Sequence, residues 1–165
     1  MIGVFILFKP KFIFNTFLDI TPEFLEKNNI KALLLDVDNT LTVAHKSKVL
    51  RDGAMDWFKK MKDNNIKLII LSNAKSVRIK PFADSIGLGF VALSAKPLPF
   101  GYLRAVRKIK LKRKNIAMVG DQIFTDILGA KFLGIISILV TDITYEKSAS
   151  FKIRRKLEKK ILRNR

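Results

Sequence analysis

The chain has 165 residues, of which 48% are apolar and 28% charged, a composition typical of a folded globular protein rather than a disordered one. It contains no cysteine and one histidine, which excludes disulfides, thiolate catalysis and metal sites built on cysteine or on several histidines. Any bound metal must therefore be held by carboxylates, and that favours a hard cation such as Mg²⁺.

The charge is strongly basic, with 32 Lys and Arg residues against 14 Asp and Glu residues. A formal charge of +18 predicts attraction to polyanions, namely nucleic acid, anionic lipid headgroups or phosphorylated substrates. Residues 101–165 carry 17 basic and 5 acidic side chains, so the excess is concentrated in the second part of the chain. A composition rich in Lys, Ile, Asn and Phe is also what an AT-rich genome would give without any such partner, and both interpretations stay open.

The first 20 residues form an apolar arm rich in phenylalanine. No uninterrupted apolar run approaches the ~20 residues of a membrane-spanning helix. No basic residue precedes the apolar stretch and no small-residue cleavage site follows it, so we expect no secretory signal and a cytoplasmic location. The arm either covers the core or gives a shallow membrane contact.

Beyond this arm, apolar strands alternate with amphipathic helices. Thr21 and Pro22 begin a short helix, as N-cap and first helical residue. Longer helices are predicted over residues 52–64, 77–87, 100–110 and 123–133. Strands are predicted over residues 30–35, 66–71, 90–93, 115–119 and 135–140. This order predicts an α/β fold, a doubly wound three-layer sandwich with a mainly parallel five-stranded sheet, in a single domain spanning residues 1–165.

The last segment, about residues 149–165, is predicted to be a basic helix. Ile153, Leu157 and Ile161 recur every four residues and form a narrow apolar stripe on it. The helix either packs this stripe on the domain or lies on an anionic membrane, with possible inner-face peripheral attachment.

Polar side chains follow four of the predicted strands, at the sheet edge where such folds bind ligands. They are Asp36, Asp38, Thr40, Ser72, Asn73, Lys96, Asp121 and Asp126. Asp36 and Asp38 would crowd two carboxylates unless a cation neutralised them, and Asp121 with Asp126 would complete a Mg²⁺ site. Lys96 could hold a phosphoryl oxygen or an ionised aspartate. Taken singly, each residue could instead be a helix cap or turn residue. This holds most for Asp126, which is at the start of a predicted helix, where the dipole favours an acidic side chain.

The residues at these four positions resemble the four motifs of the haloacid dehalogenase-like (HAD) phosphatases. The matching segments are Asp36-Val37-Asp38-Asn39-Thr40, Ser72-Asn73, Lys96-Pro97 and Gly120-Asp121-Gln122-Ile123-Phe124-Thr125-Asp126. The fourth is most similar to the class IIIA, YqeG-type subfamily. The resemblance implies a Rossmann-like HAD fold, with Asp36 as the nucleophile that becomes phosphorylated and Asp38 as the general acid and base.

The same resemblance implies the remaining site residues. Asp36, the main-chain carbonyl of Asp38 and Asp121 would bind Mg²⁺, supported by Asp126. The phosphate-binding residues would be Thr40, Ser72, Asn73 and Lys96. The intervals between the motifs are already filled by one helix and one strand each, so we expect no cap domain. Uncapped members of the family generally act on macromolecular or surface-presented phosphates.

The predicted function is therefore Mg²⁺-dependent phosphomonoester hydrolysis. YqeG-type proteins are similar to phosphatidylglycerophosphatases, which makes phosphatidylglycerophosphate at a membrane surface the first substrate hypothesis. The alternatives are a soluble phosphatase for a phosphoprotein, sugar phosphate or nucleotide, and a non-enzymatic RNA- or ribosome-binding protein. Few aromatics accompany the basic stretches, which disfavours nucleic acid. His45 is predicted to be a solvent-facing loop residue near the site mouth, where a substrate contact is possible, and the sequence does not determine the oligomeric state.

Overall fold

The computed structural model describes residues 8–142, and these form a six-stranded, entirely parallel sheet with helices on both faces. The strands are β1 (Phe12–Phe14), β2 (Ala32–Leu35), β3 (Lys67–Leu71), β4 (Gly89–Val91), β5 (Ile116–Gly120) and β6 (Ile136–Val140). The helices are α1 (Pro22–Lys27), α2 (Ala54–Asp63), α3 (Ser76–Ser85), α4 (Pro99–Ile109) and α5 (Leu128–Phe132). The spatial order of the strands is β1-β6-β5-β2-β3-β4.

In this strand order, the switch point, where successive strands begin to be added on the opposite side of the sheet, lies between β2 and β5. From β2 the chain moves outward through β3 to β4, whereas from β5 it moves the other way through β6. In open α/β sheets the ligand crevice lies at such a switch point, outside the carboxyl ends of the strands. The predicted doubly wound sandwich is thus confirmed, and its crevice is flanked by β2 and β5.

Strand β2 is buried on both faces of the sheet, as expected for a central strand. All four of its residues are buried, and Leu33 and Leu35 pack in the core on one face of the sheet. Ala32 and Leu34 pack in the core on the other face. A strand covered on both sides needs apolar side chains at every position, which is the pattern that the sequence carries.

The apolar arm contributes a sixth strand that the sequence analysis did not predict. Phe12–Phe14 pairs in parallel with β6, with Phe12 opposite Ile138. Beyond this strand, Phe17 and Ile20 are fully buried, and the indole of Trp57 donates a hydrogen bond to the carbonyl of Ile20 at 2.8 Å. In its described part, therefore, the arm packs on the sheet and core. A three-residue strand whose partner lies more than 120 residues away leaves no local pattern to read.

One predicted helix is interrupted in the structure. The segment predicted as a helix over residues 123–133 begins with a π-helical turn, Ile123–Ile127, which leads into α5. The wider turn matters for the site because it contains Asp126. The remaining helices begin and end within a few residues of their predicted bounds.

No inserted cap domain interrupts the chain between residues 8 and 142, in agreement with the predicted motif spacing. Between β2 and α2 the chain forms a π-helical turn, Val37–Leu41, and a short hairpin in which Thr42 is bridged to Leu50. Over the same residues, none of the helices has the length and apolar character needed to cross a bilayer. The predicted basic helix at about residues 149–165 lies outside the described residues.

Candidate active site

Two aspartates lie side by side at the switch point. Asp36 directly follows β2, Asp121 directly follows β5, and the two strands pair with Leu35 opposite Val119. The main-chain N–H of Asp36 continues this pairing by donating to the carbonyl of Val119 at 3.0 Å. The neighbouring positions of these strand ends bring the first and fourth motifs together.

A third carboxylate joins this pair from the π-helical turn. Asp36, Asp121 and Asp126 are buried and each offers a carboxylate oxygen, and these oxygens lie within 4.8 Å of one another. Asp126 Oδ2 accepts a hydrogen bond from the main-chain N–H of Gln122 at 3.1 Å. Three converging carboxylates are an arrangement that a hard divalent cation neutralises.

Close backbone approach makes room for this third carboxylate. A Cβ atom at Gly120 would lie 2.3 Å from Asp126 Oδ2, so only glycine leaves space at the end of β5. From the other side, the buried hydroxyl of Tyr102 donates to the main-chain carbonyl of Asp126 at 2.9 Å. The absence of a side chain at Gly120 and the hydrogen bond from Tyr102 therefore together determine the position of Asp126.

Lys96 connects two of the carboxylates. Its Nζ atom lies 2.6 Å from Asp36 Oδ1 and 2.7 Å from Asp126 Oδ1, and the side chain is buried. Burial alone would lower the pKa of Lys96, but Asp126 and Asp36 raise it above the ordinary value, so the ammonium stays charged. One ammonium against three carboxylates leaves the cluster able to accept a divalent cation.

The carboxyl group of Asp36 is electrostatically unusual. Burial raises its pKa from the ordinary 3.8 to about 7, against the lowering effect of Lys96 and with a further raising effect from Asp126. A cation bound among these oxygens would favour the ionised form. The residues present therefore fit Mg²⁺, because they offer hard oxygen ligands with excess negative charge.

The carboxylate of Asp38 is not part of this cluster. It forms a bidentate ion pair with the guanidinium of Arg78 and accepts a hydrogen bond from the main-chain N–H of Lys46 at 2.6 Å. His45 Nδ1 lies 3.7 Å from Asp38 Oδ2. Burial would raise the pKa of Asp38, but Arg78 and the Lys46 N–H together hold it below its ordinary value. Of the four predicted metal ligands, Asp38 thus has its side chain turned elsewhere, which leaves its main-chain carbonyl as the group expected to bind metal.

The predicted phosphate-binding side chains occupy different environments. Ser72 is buried and its Oγ accepts from the main-chain N–H of Ala74 at 3.2 Å. The hydroxyl of Thr40 is buried without a hydrogen-bond partner among the described residues. Asn73 instead holds the loop that carries Lys96: its Oδ1 accepts from the Lys96 N–H at 2.7 Å and its Nδ2 donates to the Lys96 carbonyl at 3.1 Å. The side chain of Asn73 is therefore committed to positioning Lys96, and its main-chain N–H is the group expected to bind phosphate.

The sequence analysis missed two residues of this site, Arg78 and Tyr102, and it missed the steric role of Gly120, which it named only as part of the fourth motif. Arg78 is the third residue of α3, where the helix dipole disfavours a cation. A basic residue at such a position, just after the Ser72 motif, is a signal that it pairs with a nearby carboxylate. Tyr102 and Gly120 offered no such signal, because their importance depends on the position of Asp126.

Comparison with known proteins identifies the family. A model described as haloacid dehalogenase-like hydrolase matches residues 43–134, and one described as mitochondrial PGP phosphatase matches residues 4–81. The Bacillus subtilis protein named "Probable phosphatase YqeG" is 34% identical over 92% of this chain and 87% of its own. The mitochondrial phosphatidylglycerophosphatase GEP4 of Saccharomyces cerevisiae is 29% identical over 82% of this chain and 79% of its own.

Solved structures support the same fold. A crystal structure of an uncharacterized protein from Listeria monocytogenes serotype 4b superposes with a TM-score of 0.59 at 20% identity, over 73% of this chain and 84% of that one. The family model that matches residues 43–134 and the 34% identity to the Bacillus subtilis protein show that the chain belongs to the haloacid dehalogenase-like hydrolase family and is a phosphatase of that family. The predicted YqeG-type relationship is confirmed by the 34% identity.

Proposed function

We propose that this phosphatase hydrolyses phosphomonoesters in a Mg²⁺-dependent reaction that passes through a phosphorylated Asp36. The observation that carries the proposal is the position of the Asp36 carboxylate, which is buried beside the ammonium of Lys96 and two further carboxylates. A nucleophile, a fixed cation and a set of hard oxygen ligands thus meet at one strand edge, and this combination suits phosphoryl transfer through a covalent intermediate.

In the first step, a carboxylate oxygen of Asp36 attacks the phosphorus atom and the bond from phosphorus to the leaving alcohol oxygen breaks. Asp38, in its protonated form, gives its proton to that oxygen, and the alcohol leaves. Lys96 offsets negative charge on the nucleophile and the transferring phosphoryl group. Positioned proton transfer of this kind typically contributes about 10²- to 10⁴-fold in rate.

In the second step, a water molecule attacks the phosphorus atom of phospho-Asp36. Asp38, now ionised, takes a proton from this water, the bond between phosphorus and the Asp36 oxygen breaks, and inorganic phosphate leaves. The lowered pKa of Asp38 means that the resting enzyme holds this side chain in its ionised form, whereas the first step requires Asp38 to leave Arg78 and gain a proton. Both steps use the same two aspartates in alternating roles.

The carboxylates of Asp36, Asp121 and Asp126, with the main-chain carbonyl of Asp38, are the groups that would hold Mg²⁺. When bound, the ion would neutralise charge on the phosphoryl group and on the surrounding carboxylates. The phosphoryl oxygens would be bound by Lys96, the hydroxyls of Ser72 and Thr40, and the main-chain N–H of Asn73.

Phosphatidylglycerophosphate is the substrate that we propose, with catalysis at a membrane surface. This is supported by the relationship to GEP4, a phosphatidylglycerophosphatase by name, and by the match to the mitochondrial PGP phosphatase model. The uncapped site would admit a headgroup at a bilayer. A soluble phosphomonoester is the second candidate, because the same residues would act on it.

A phosphate-release screen with and without EDTA tests both levels of this proposal. The substrates are phosphatidylglycerophosphate in mixed vesicles, a sugar phosphate, a nucleotide and 4-nitrophenyl phosphate. We expect release that EDTA abolishes and that Asp36→Asn abolishes. Release should be faster from phosphatidylglycerophosphate than from the sugar phosphate or the nucleotide, and 4-nitrophenyl phosphate serves as an activated reference. Unchanged release in Asp36→Asn would refute the chemistry, whereas faster release from the sugar phosphate or the nucleotide would refute only the substrate.

A further inference from the structure

Exposed apolar side chains are unevenly distributed over the molecule. Within residues 8–142, the large apolar side chains that are exposed are Val43, Val49, Met55, Val77, Leu93, Leu98, Phe100 and Phe132. Six of these lie in three short segments, residues 42–50, 73–79 and 92–100, which come after β2, β3 and β4 in the chain. We name Val43, Val49, Val77, Leu93, Leu98 and Phe100 the apolar rim.

The three segments surround the mouth of the active site. Lys46 in the first segment and Arg78 in the second both bind the carboxylate of Asp38. The third segment joins the second through the main-chain N–H of Leu93, which donates to the carbonyl of Ala74 at 3.0 Å. The rim residues therefore lie at the same edge of the sheet as Asp36.

The degree of exposure is high for side chains of this kind. Val77 is 81% exposed, and Phe100 and Val49 are each 64% exposed. Single exposed apolar residues are normal on a protein surface, but several apolar residues gathered at one edge indicate an interaction surface, covered by another molecule or by a membrane.

The charge of these segments selects the kind of partner. None of the three contains an Asp or Glu residue, although the chain has 14 of them, and the first two carry exposed Lys46, Lys48 and Lys75. By contrast, Met55 lies outside the three segments and is followed directly by the exposed carboxylate of Asp56. Apolar side chains interspersed with lysines and free of carboxylates complement an apolar interior beneath an anionic surface.

We propose that the apolar rim docks the protein on the surface of an anionic phospholipid bilayer. This proposal rests on the proposed function, because docking on a bilayer serves catalysis only if the substrate is a lipid. In this orientation the site faces the headgroups, so a phosphomonoester could reach Asp36 while its acyl chains stay in the leaflet. The docking surface is separate from the amino-terminal arm, whose described residues pack on the sheet and core.

Phe100 and Phe132 provide a matched pair for testing this orientation. Their exposed fractions are 64% and 58%, but Phe100 is at the beginning of α4, beside the site, and Phe132 is the last residue of α5, at the other edge of the sheet. Because the chain has no cysteine, Phe100→Cys and Phe132→Cys each create one labelling position. An environment-sensitive fluorophore at each position then reports whether that edge enters the bilayer.

The experiment uses the full chain with vesicles of one part phosphatidylglycerol to two parts phosphatidylcholine, and with phosphatidylcholine vesicles for comparison. We expect a blue shift and quenching by brominated lipid at position 100, little change at position 132, and a smaller response without the anionic lipid. A label at position 100 that stays in water while the protein binds the vesicles would overturn the proposal, as would an equal response at both positions or no binding at all.

A second variant separates docking from catalysis. Leu98→Ser combined with Phe100→Ser should weaken vesicle affinity by about tenfold or more, because two apolar side chains no longer enter the interface. Release of phosphate from 4-nitrophenyl phosphate should stay at the wild-type rate, which also shows that the variant is folded. Unchanged vesicle affinity in this variant would overturn the docking surface, whereas normal docking without release from phosphatidylglycerophosphate would overturn the proposed substrate alone.

Discussion

Arg78 binds both carboxylate oxygens of Asp38, with Arg78 Nη1 lying 3.0 Å from Asp38 Oδ2. The guanidinium therefore holds the proposed general acid in its ionised form, outside the cluster formed by the other three aspartates. Bidentate pairing of this kind is specific to arginine, since the lysine ammonium is a point charge.

Replacing Arg78 should change the pH dependence of the first chemical step. In Arg78→Ala the pKa of Asp38 rises, because its main charge partner is lost while its burial remains. The protonated acid then persists to higher pH, so the fall of the single-turnover rate on the alkaline side should move upward in pH for an alkyl phosphate. Single-turnover rates across pH provide the measurement.

The control for this change is Arg107→Ala, which removes an exposed arginine of α4. It should leave the pH profile unaltered. If the two variants give the same profile as wild type, Arg78 does not influence the protonation of Asp38 during turnover.

The sequence was sufficient to predict the clustering of Asp36, Asp121 and Asp126, because each follows or lies close behind the carboxyl end of a central parallel strand. Such strand ends meet at one edge whatever the details of the loops. The apolar runs likewise predicted the four central strands, since these are buried on both faces, and the short apolar run that ends at Val91 predicted the edge strand β4.

What the sequence did not predict depends on contacts between distant residues. The edge strand beside β6 requires Phe12 to align with Ile138, and the ion pair of Arg78 with Asp38 requires the first turn of α3 to face the first motif. The role of the Asn73 side chain was similarly hidden, because its partners lie on the Lys96 loop rather than nearby in the chain.

Asp38→Asn should separate the two chemical steps. An amide can neither donate the proton of a carboxylic acid nor act as a base, so steady-state release of phosphate should fall by about 10²- to 10⁴-fold. With 4-nitrophenyl phosphate, whose leaving group needs little proton donation, one equivalent of nitrophenolate should still appear in a burst as Asp36 becomes phosphorylated. Rapid-quench or stopped-flow absorbance measures this burst.

The matched variant for this test is Asp36→Asn, which should show neither burst nor turnover. Steady turnover at the wild-type rate in Asp38→Asn would contradict the general acid and base role. A burst in Asp36→Asn would show that another residue is phosphorylated.

The raised pKa of Asp36 predicts a pH-dependent stability in the absence of metal. The folded protein binds this proton more tightly than the unfolded chain, since burial raises the pKa from 3.8 to about 7. This contribution to stability is therefore present at low pH and is lost as the pH rises through that interval. In EDTA, the free energy of unfolding should decrease by an amount of the order of a few kcal/mol between about pH 5 and pH 8.

Urea unfolding at several pH values measures this effect. Asp36→Asn should remove most of it, whereas Asp56→Asn, at an exposed position of α2, should not. Mg²⁺ should restore stability in the wild-type protein at the higher pH, because it binds the ionised carboxylates. A wild-type protein that becomes more stable with rising pH in EDTA, by an amount that Asp36→Asn abolishes, would contradict the sign of this shift.

Gly120→Ala should damage the site through steric displacement of Asp126. The added methyl group would lie 2.3 Å from Asp126 Oδ2 and 2.4 Å from its Cγ, so the carboxylate has to move away from Lys96 and Asp121. We expect a loss of stability of about 1–3 kcal/mol from overpacking, and a severe loss of Mg²⁺-stimulated phosphate release.

Gly89→Ala is the matched control in β4, since its new Cβ would have Ile69 Cγ1 at 4.0 Å as its nearest neighbour. Thermal unfolding with and without Mg²⁺, together with phosphate release, measures both effects. If Gly120→Ala kept wild-type Mg²⁺ stabilisation and activity, the position of Asp126 beside Lys96 would not be needed for metal binding or catalysis.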